Sequence, residues 1–188
     1  PDANGQQPYG DMVRSLKASA DTMQTLTGSV LDVVTLGACR PCWLSAAVEQ
    51  VRELHRASLQ GRYTSLEYDG DTHSVIDLPF DVLLLTLSTL VENAIEAKPA
   101  HGSISIVPRD AGTHVECRVH NDGPAIPEGI WEEIFEPGFT TKKGSRGFGL
   151  YLIRRVLREN GGDIMVETSN HQGTMFLLRF PKPRNERA

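Results

Sequence analysis

No stretch of this 188-residue chain approaches the roughly 18–20 consecutive apolar residues that a bilayer-crossing helix needs. No membrane contact by the chain itself is expected, and a cytoplasmic setting is. Positive charge is not in excess either. The chain has 19 Lys and Arg against 24 Asp and Glu, a formal net charge of −5, which argues against a nucleic-acid surface. Cysteine is scarce: three residues cannot complete a disulfide framework. Two of them form Cys39-Arg40-Pro41-Cys42. That spacing lacks the strand–helix context or the further ligands that a redox or metal role requires, and it reads as a linker. The chain opens on Pro1, with no Met and no signal peptide. It reads as a fragment of a longer protein, with any sensor or membrane anchor outside it.

What is present is ordinary for a globular protein: 39% hydrophobic residues, and length for one domain plus an appendage. Residues 1–8 read as a loop. From Tyr9 to Leu36, Met12, Leu16, Ala20, Met23, Leu26 and Val30 recur at helical steps. Such an apolar stripe needs a partner helix, in a hairpin or a dimer bundle. Gly37–Pro41 breaks that helix. A second helix is expected over Trp43–Leu59, a strand over Tyr63–Tyr68 and a short strand over His73–Ile76.

The helix expected over Pro79–Ala97 is apolar over most of its circumference: Leu83, Leu84, Leu87, Leu90, Val91, Ala94 and Ile95. Through it runs a polar stripe, Thr86, Thr89, Asn93 and Glu96, with Glu92 beside it. Buried polar groups must find partners. The stripe either bonds to neighbouring backbone or faces a polar ligand; the helix alone favours the former. Strands follow at Ser103–Val107 and His114–His120, a helix at Leu150–Glu159, and a hairpin of Asp163–Thr168 and Thr174–Phe180.

The stretch Asn121–Leu150 carries the strongest local organisation. It begins on the turn Asn121-Asp122-Gly123-Pro124 and ends on Gly144, Gly147 and Gly149, which feed a helix. Glycines ahead of a helix N-terminus let backbone N–H groups approach a phosphate chain. Thr140, Thr141, Lys142 and Lys143 add donors for the same anion. Taken alone, a flexible Gly/Lys-rich loop is an equal alternative.

Four motifs in order resolve that choice: Leu90-Val91-Glu92-Asn93-Ala94, Asn121 to Ile126, Ile134 to Lys142, and Gly147-Phe148-Gly149-Leu150. Over Trp43–Phe180 the chain resembles the ATP-binding catalytic domain of sensor histidine kinases, in the superfamily shared with DNA gyrase, MutL-type repair proteins and heat-shock ATPase chaperones. The resemblance implies a two-layer α/β sandwich, a mixed sheet with three helices on one face, preceded by a long N-terminal helix. It divides the chain into 1–40, the second helix of a dimerisation hairpin plus linker; 41–182, the ATP-binding domain; and 183–188, a tail.

The same resemblance implies ATP and Mg²⁺ as ligands. Asn93 would hold the metal, and Glu92 would orient its water or serve structure. Asn121 would accept from the adenine amino group, with Asp122, Gly123, Ala125 and Ile126 completing the corner. Lys142, Lys143 and the backbone at Gly147 and Gly149 would steady the phosphates, with Thr140, Thr141, Phe148 and Leu150 in the same nucleotide site. Phe135 and Phe139 would anchor a lid of residues 128–148.

Three positions depart from the family pattern. Asn121 stands where Asp is usual and loses charge assistance. Ala125 replaces the turn's second glycine. Thr89 lies four residues before Asn93, where a carboxylate would activate water; its absence favours phosphoryl transfer to a protein over ATP hydrolysis. None of the six histidines is followed by an acidic residue, as the family's acceptor histidine is. The acceptor therefore belongs to a segment outside the chain. A protein-histidine kinase module is expected, unable to autophosphorylate alone. Its expected partners are that acceptor helix, a response-regulator receiver domain and a second copy in the full-length dimer. The alternatives are a nucleotide-poor scaffold of kinase shape and an anti-sigma-type serine kinase.

Overall fold

Along His114–Asn121 the side chains switch between buried and half-buried at every step, with Val115, Cys117, Val119 and Asn121 on the inner side. That is the pattern of a strand with one covered face. The computed structural model describes residues 41–71, 74–97, 100–142, 146–167 and 173–183. The helix expected over Tyr9–Leu36 and the tail from 184 lie outside them.

In chain order the elements are β1 (Cys42–Trp43), α1 (Leu44–Leu54), α2 (Arg56–Gly61), β2 (Ser65–Tyr68), β3 (Val75–Ile76), α3 (Phe80–Ala97), β4 (Ser103–Asp110), β5 (His114–Asn121), α4 (Gly149–Glu159), β6 (Asp163–Glu167) and β7 (Thr174–Pro181). Two 3₁₀ turns, Glu128–Ile130 and Glu133–Phe135, lie between β5 and α4. The main sheet has the order β2-β4-β5-β7-β6. β2 runs parallel to β4 and the other pairs are antiparallel, so the sheet is mixed, as expected. β1 and β3 form a separate short ribbon.

α3 contacts both α1 and α4. That position explains its apolar circumference: neighbours flank it and the sheet lies beneath. Leu83, Leu84, Leu87 and Val91 are fully buried, in one cluster with Ile104, Ile106 and Cys117 of the sheet. Each such side chain contributes about 1.5–3 kcal/mol relative to exposure. Among the described residues no helix is long and apolar enough to cross a membrane.

The structure differs from the sequence expectation in several places. β2, expected from Tyr63, starts at Ser65, with Tyr63 in a turn at φ +51°. The helix expected over Trp43–Leu59 is broken at His55, where one imidazole nitrogen lies 2.8 Å from the buried Ser88 Oγ; a tertiary contact fixes the boundary. Cys42, read as linker, is a buried strand residue whose Sγ–H donates to Leu78 O at 3.3 Å. The β4–β5 turn also falls later than expected. β4 continues to Asp110, and Asp110 Oδ1 accepts the Gly112 N–H at 2.7 Å.

Candidate active site

The polar stripe of α3 divides along its length. Thr86 is buried and its hydroxyl donates to Val82 O at 2.7 Å, within the same helix. One turn further, Thr89, Asn93 and Glu96 line a cavity of about 790 Å³, with Glu92 beside them. The first part of the stripe thus serves the helix, and the second faces open space.

The second wall comes from the end of β5 and the turn after it. Asn121, Pro124, Ala125 and Ile126 line it, with Thr174 and Phe176 from the neighbouring β7. The register places Asn121 opposite Thr174. Leu85, Ile130 and Ile134 complete an apolar slot at this end.

The third wall is Phe139–Lys142 and Arg146–Leu150. Gly147 has φ +73°, and a Cβ there would stand 2.4 Å from the Phe139 carbonyl oxygen. Only glycine fits both the conformation and the approach. The Gly138 N–H donates to Gly147 O at 3.1 Å, pinning the two ends of the intervening loop together. α4 then starts at Gly149 with no side-chain cap and no acidic residue in its first turn. Its leading N–H groups and its dipole give this corner positive potential.

Lys142 bridges the third wall to the first. Its Nζ donates to Asn93 Oδ1 at 2.8 Å and pairs with the Glu96 carboxylate. The Thr140 hydroxyl accepts the Lys142 backbone N–H at 3.0 Å. Since Glu96 is nearly half exposed, this ion pair is weak, below about 1 kcal/mol, and easily exchanged.

Behind the cavity, Phe135 is buried edge-on against Phe176, ring centroids 6.4 Å apart, under the Arg154 guanidinium at 4.5 Å. Arg154 also donates to Glu132 at 2.8 Å, and Trp131 Nε1 donates to Ile126 O at 2.9 Å. These contacts fasten the 128–136 segment to α4 and to the Asn121 corner.

The predicted residues therefore separate into groups. Glu92, Asn93, Asn121, Ala125, Ile126, Phe139, Thr140, Thr141, Lys142, Gly147, Phe148, Gly149 and Leu150 line one cavity. Phe135 sits one layer behind it. Asp122, expected to complete the base-binding corner, is not in the lining. Its Oδ1 accepts the Ser103 N–H at 2.8 Å and ties the end of β5 to the start of β4. Gly123 lies under Asn121, where a Cβ would come within 2.7 Å of Asn121 Nδ2. Lys143 falls outside the described residues.

The site list drawn from sequence omitted Glu96, Arg146, Thr174 and Phe176. Glu96 was visible on the α3 stripe, and Arg146 stands among the glycines. Thr174 and Phe176 reach the site through strand pairing, which no local pattern reveals.

Residues 80–184 match the family model described as histidine kinase-, DNA gyrase B-, and HSP90-like ATPase, and the chain belongs to that family. Its relatives narrow the class to the ATP-binding catalytic domain of sensor histidine kinases. Sensor protein CitS of Halalkalibacterium halodurans is 32% identical over 156 residues, 74% of this chain and 29% of the relative. Sensor histidine kinase ZraS of Escherichia coli K12 is 28% identical over 178 residues, 90% of this chain and 37% of the relative. The chain thus spans only 29–37% of the length of these two curated relatives. Among solved structures, the nucleotide-free catalytic domain of histidine kinase ThkA aligns with TM-score 0.69 and 30% identity, covering 77% of this chain and 97% of that one. ThkA solved with response regulator protein TrrA aligns with TM-score 0.68 and 25% identity, covering 100% of this chain and 54% of that one. These relatives do not favour the scaffold or serine-kinase alternatives.

Proposed function

We propose that this chain is the catalytic module of a two-component sensor histidine kinase, passing the ATP γ-phosphate to a histidine on a segment outside the chain. The observation that carries this reading is the convergence of Asn93, the Asn121 corner and the uncapped start of α4 on one cavity of about 790 Å³. The apolar slot between Leu85, Ile126, Ile130 and Phe176 suits a base, with Asn121 at its floor. The phosphates run toward the α4 N-terminus, where Lys142, Arg146 and the Thr140 and Thr141 hydroxyls supply donors.

The residues present also fit a magnesium ion. Among the described residues no group of three or more His, Cys, Asp or Glu could cage a metal. An ion that takes most of its ligands from phosphate and water needs no cage. Asn93 Oδ1 is a hard oxygen that already faces a cation, the Lys142 ammonium. Asn93 would hold the ion, with Glu92 beside it to orient its water. When bound, the ion screens the charge on the phosphate oxygens. Lys142 exchanges its contact with Asn93 for the phosphates.

Thr89 is an alcohol, and the wall offers no carboxylate one turn before Asn93 to activate water. The chain's residues hold the triphosphate and direct its end outward, so catalysis rests on placement and charge stabilisation. The partners of this reading are the acceptor-histidine helix of the same protein, a response-regulator receiver domain and a second copy of the chain. The ThkA–TrrA complex supports the receiver domain. Residues 1–40 serve as the second hairpin helix and linker, 41–182 as the ATP-binding domain and 183–188 as a tail.

Calorimetry with a slowly hydrolysed ATP analogue, with and without Mg²⁺, tests the reading. Binding is expected, with a magnesium-dependent component. Asn93→Ala should weaken that component about 10- to 100-fold, through loss of the protein oxygen that would hold the ion. No heat and no thermal shift at millimolar nucleotide would sink the proposal.

A further inference from the structure

Asn121 is 7% exposed, and its Nδ2 is a fully buried donor with no hydrogen-bond partner. Few native side chains leave such a group unpaired, because its desolvation costs about 1–3 kcal/mol. The neighbouring Thr174 hydroxyl is turned to donate to Pro124 O at 2.9 Å, and its oxygen makes no hydrogen bond with Nδ2. Gly123 leaves the space that Nδ2 occupies, since a Cβ there would lie 2.7 Å away. The carboxamide borders the apolar slot, and its Nδ2 is turned toward Gly123; a turn about the terminal torsion brings the donor to face whatever fills the slot.

A carboxylate is an acceptor only; a carboxamide is donor and acceptor side by side. A 6-aminopurine presents an amino donor beside the N1 acceptor. A 6-oxopurine presents the O6 acceptor beside the N1–H donor. Turning the amide about its terminal torsion matches either pair with two hydrogen bonds. A carboxylate in the same place meets O6 with repulsion.

We infer that Asn121 makes the base end of the cavity accept 6-oxopurine nucleoside triphosphates as well as ATP. The inference rests on the nucleotide-binding reading above and names the substrate class of that same site. Inosine triphosphate is the cleanest probe, because it differs from ATP at the 6-position and carries no 2-amino group.

Binding of ATP and inosine triphosphate to the wild-type chain and to Asn121→Asp, each with Mg²⁺, tests it by fluorescence competition. For the wild type, the two dissociation constants should lie within about tenfold of each other; for Asn121→Asp the gap should widen by about tenfold or more, chiefly through inosine triphosphate. A wild-type chain that binds ATP but takes inosine triphosphate about 100-fold more weakly overturns this inference and leaves the ATP reading standing. Failure to bind either nucleotide overturns both. An unchanged ratio in a folded Asn121→Asp protein removes Asn121 as the determinant. If that variant does not fold, the wild-type ratio alone decides.

Discussion

At one end of the cavity, Asn121 and Thr174 come from two paired strands, with apolar side chains around them and an unpaired donor on Asn121. At the other, Asn93 and Glu96 of a helix meet Lys142 across the gap, and the donors there already have partners. The strand-built end is lined mainly by apolar side chains around a buried donor, so a mismatch in hydrogen bonding there is costly. The helix-and-loop end is more exposed and is held by an exchangeable ion pair. Under the proposed reading, a nucleotide's base would be selected at the first end and its charge accommodated at the second.

The largest break in this comparison is expected from Gly147→Ala. The new Cβ meets the Phe139 carbonyl and a positive φ. The start of α4 must shift, and ATP affinity should fall about 100-fold by calorimetry, from about 3 kcal/mol of backbone strain. Preference between bases should survive, because the Asn121 corner is built separately. A base preference lost together with affinity would mean the two ends are one unit.

A smaller change is expected from Lys142→Met. Without its ammonium, metal-free ATP should bind about tenfold more weakly, the worth of one charge-assisted contact. The magnesium concentration for half-maximal binding should fall, because nothing competes for Asn93 Oδ1. A magnesium requirement that instead rises would assign Lys142 to holding the metal site together.

The smallest effect near neutral pH is expected at Cys117, on the strand that leads to the Asn121 corner. Burial pushes its thiol up from the usual 9.0 to about 12. A raised folded pKa favours the protonated native form. Its contribution to stability is therefore complete below pH 9.0 and is lost as pH rises toward about 12. The denaturant midpoint of the wild type should fall more steeply above pH 9 than that of Cys117→Ala, while native Cys117 resists thiol reagents at pH 8. Parallel pH profiles for the two proteins would contradict the buried-thiol assignment.

Much of this layout was legible in the residues. The helical period of Leu83, Leu84, Leu87 and Leu90, with Asn93 on a polar stripe through it, predicted α3 within one residue of its start. Gly147 and Gly149 ahead of Leu150 marked the α4 N-terminus. The break at His55, the strand at Cys42–Trp43 and the role of Asp122 were not legible, because each is fixed by a partner distant in sequence: Ser88, Val75–Ile76 and Ser103.

Sequence by itself determined which residue types are available and where helices and glycine turns fall, since periodicity and backbone sterics act within a few residues. Only the tertiary structure decided that Asn121 faces the slot while Asp122 ties two strands. It also placed Thr174 beside Asn121 and set Lys142 on Asn93. Those outcomes depend on strand register and on how a loop closes over a helix, and both are set by burial summed over the whole core.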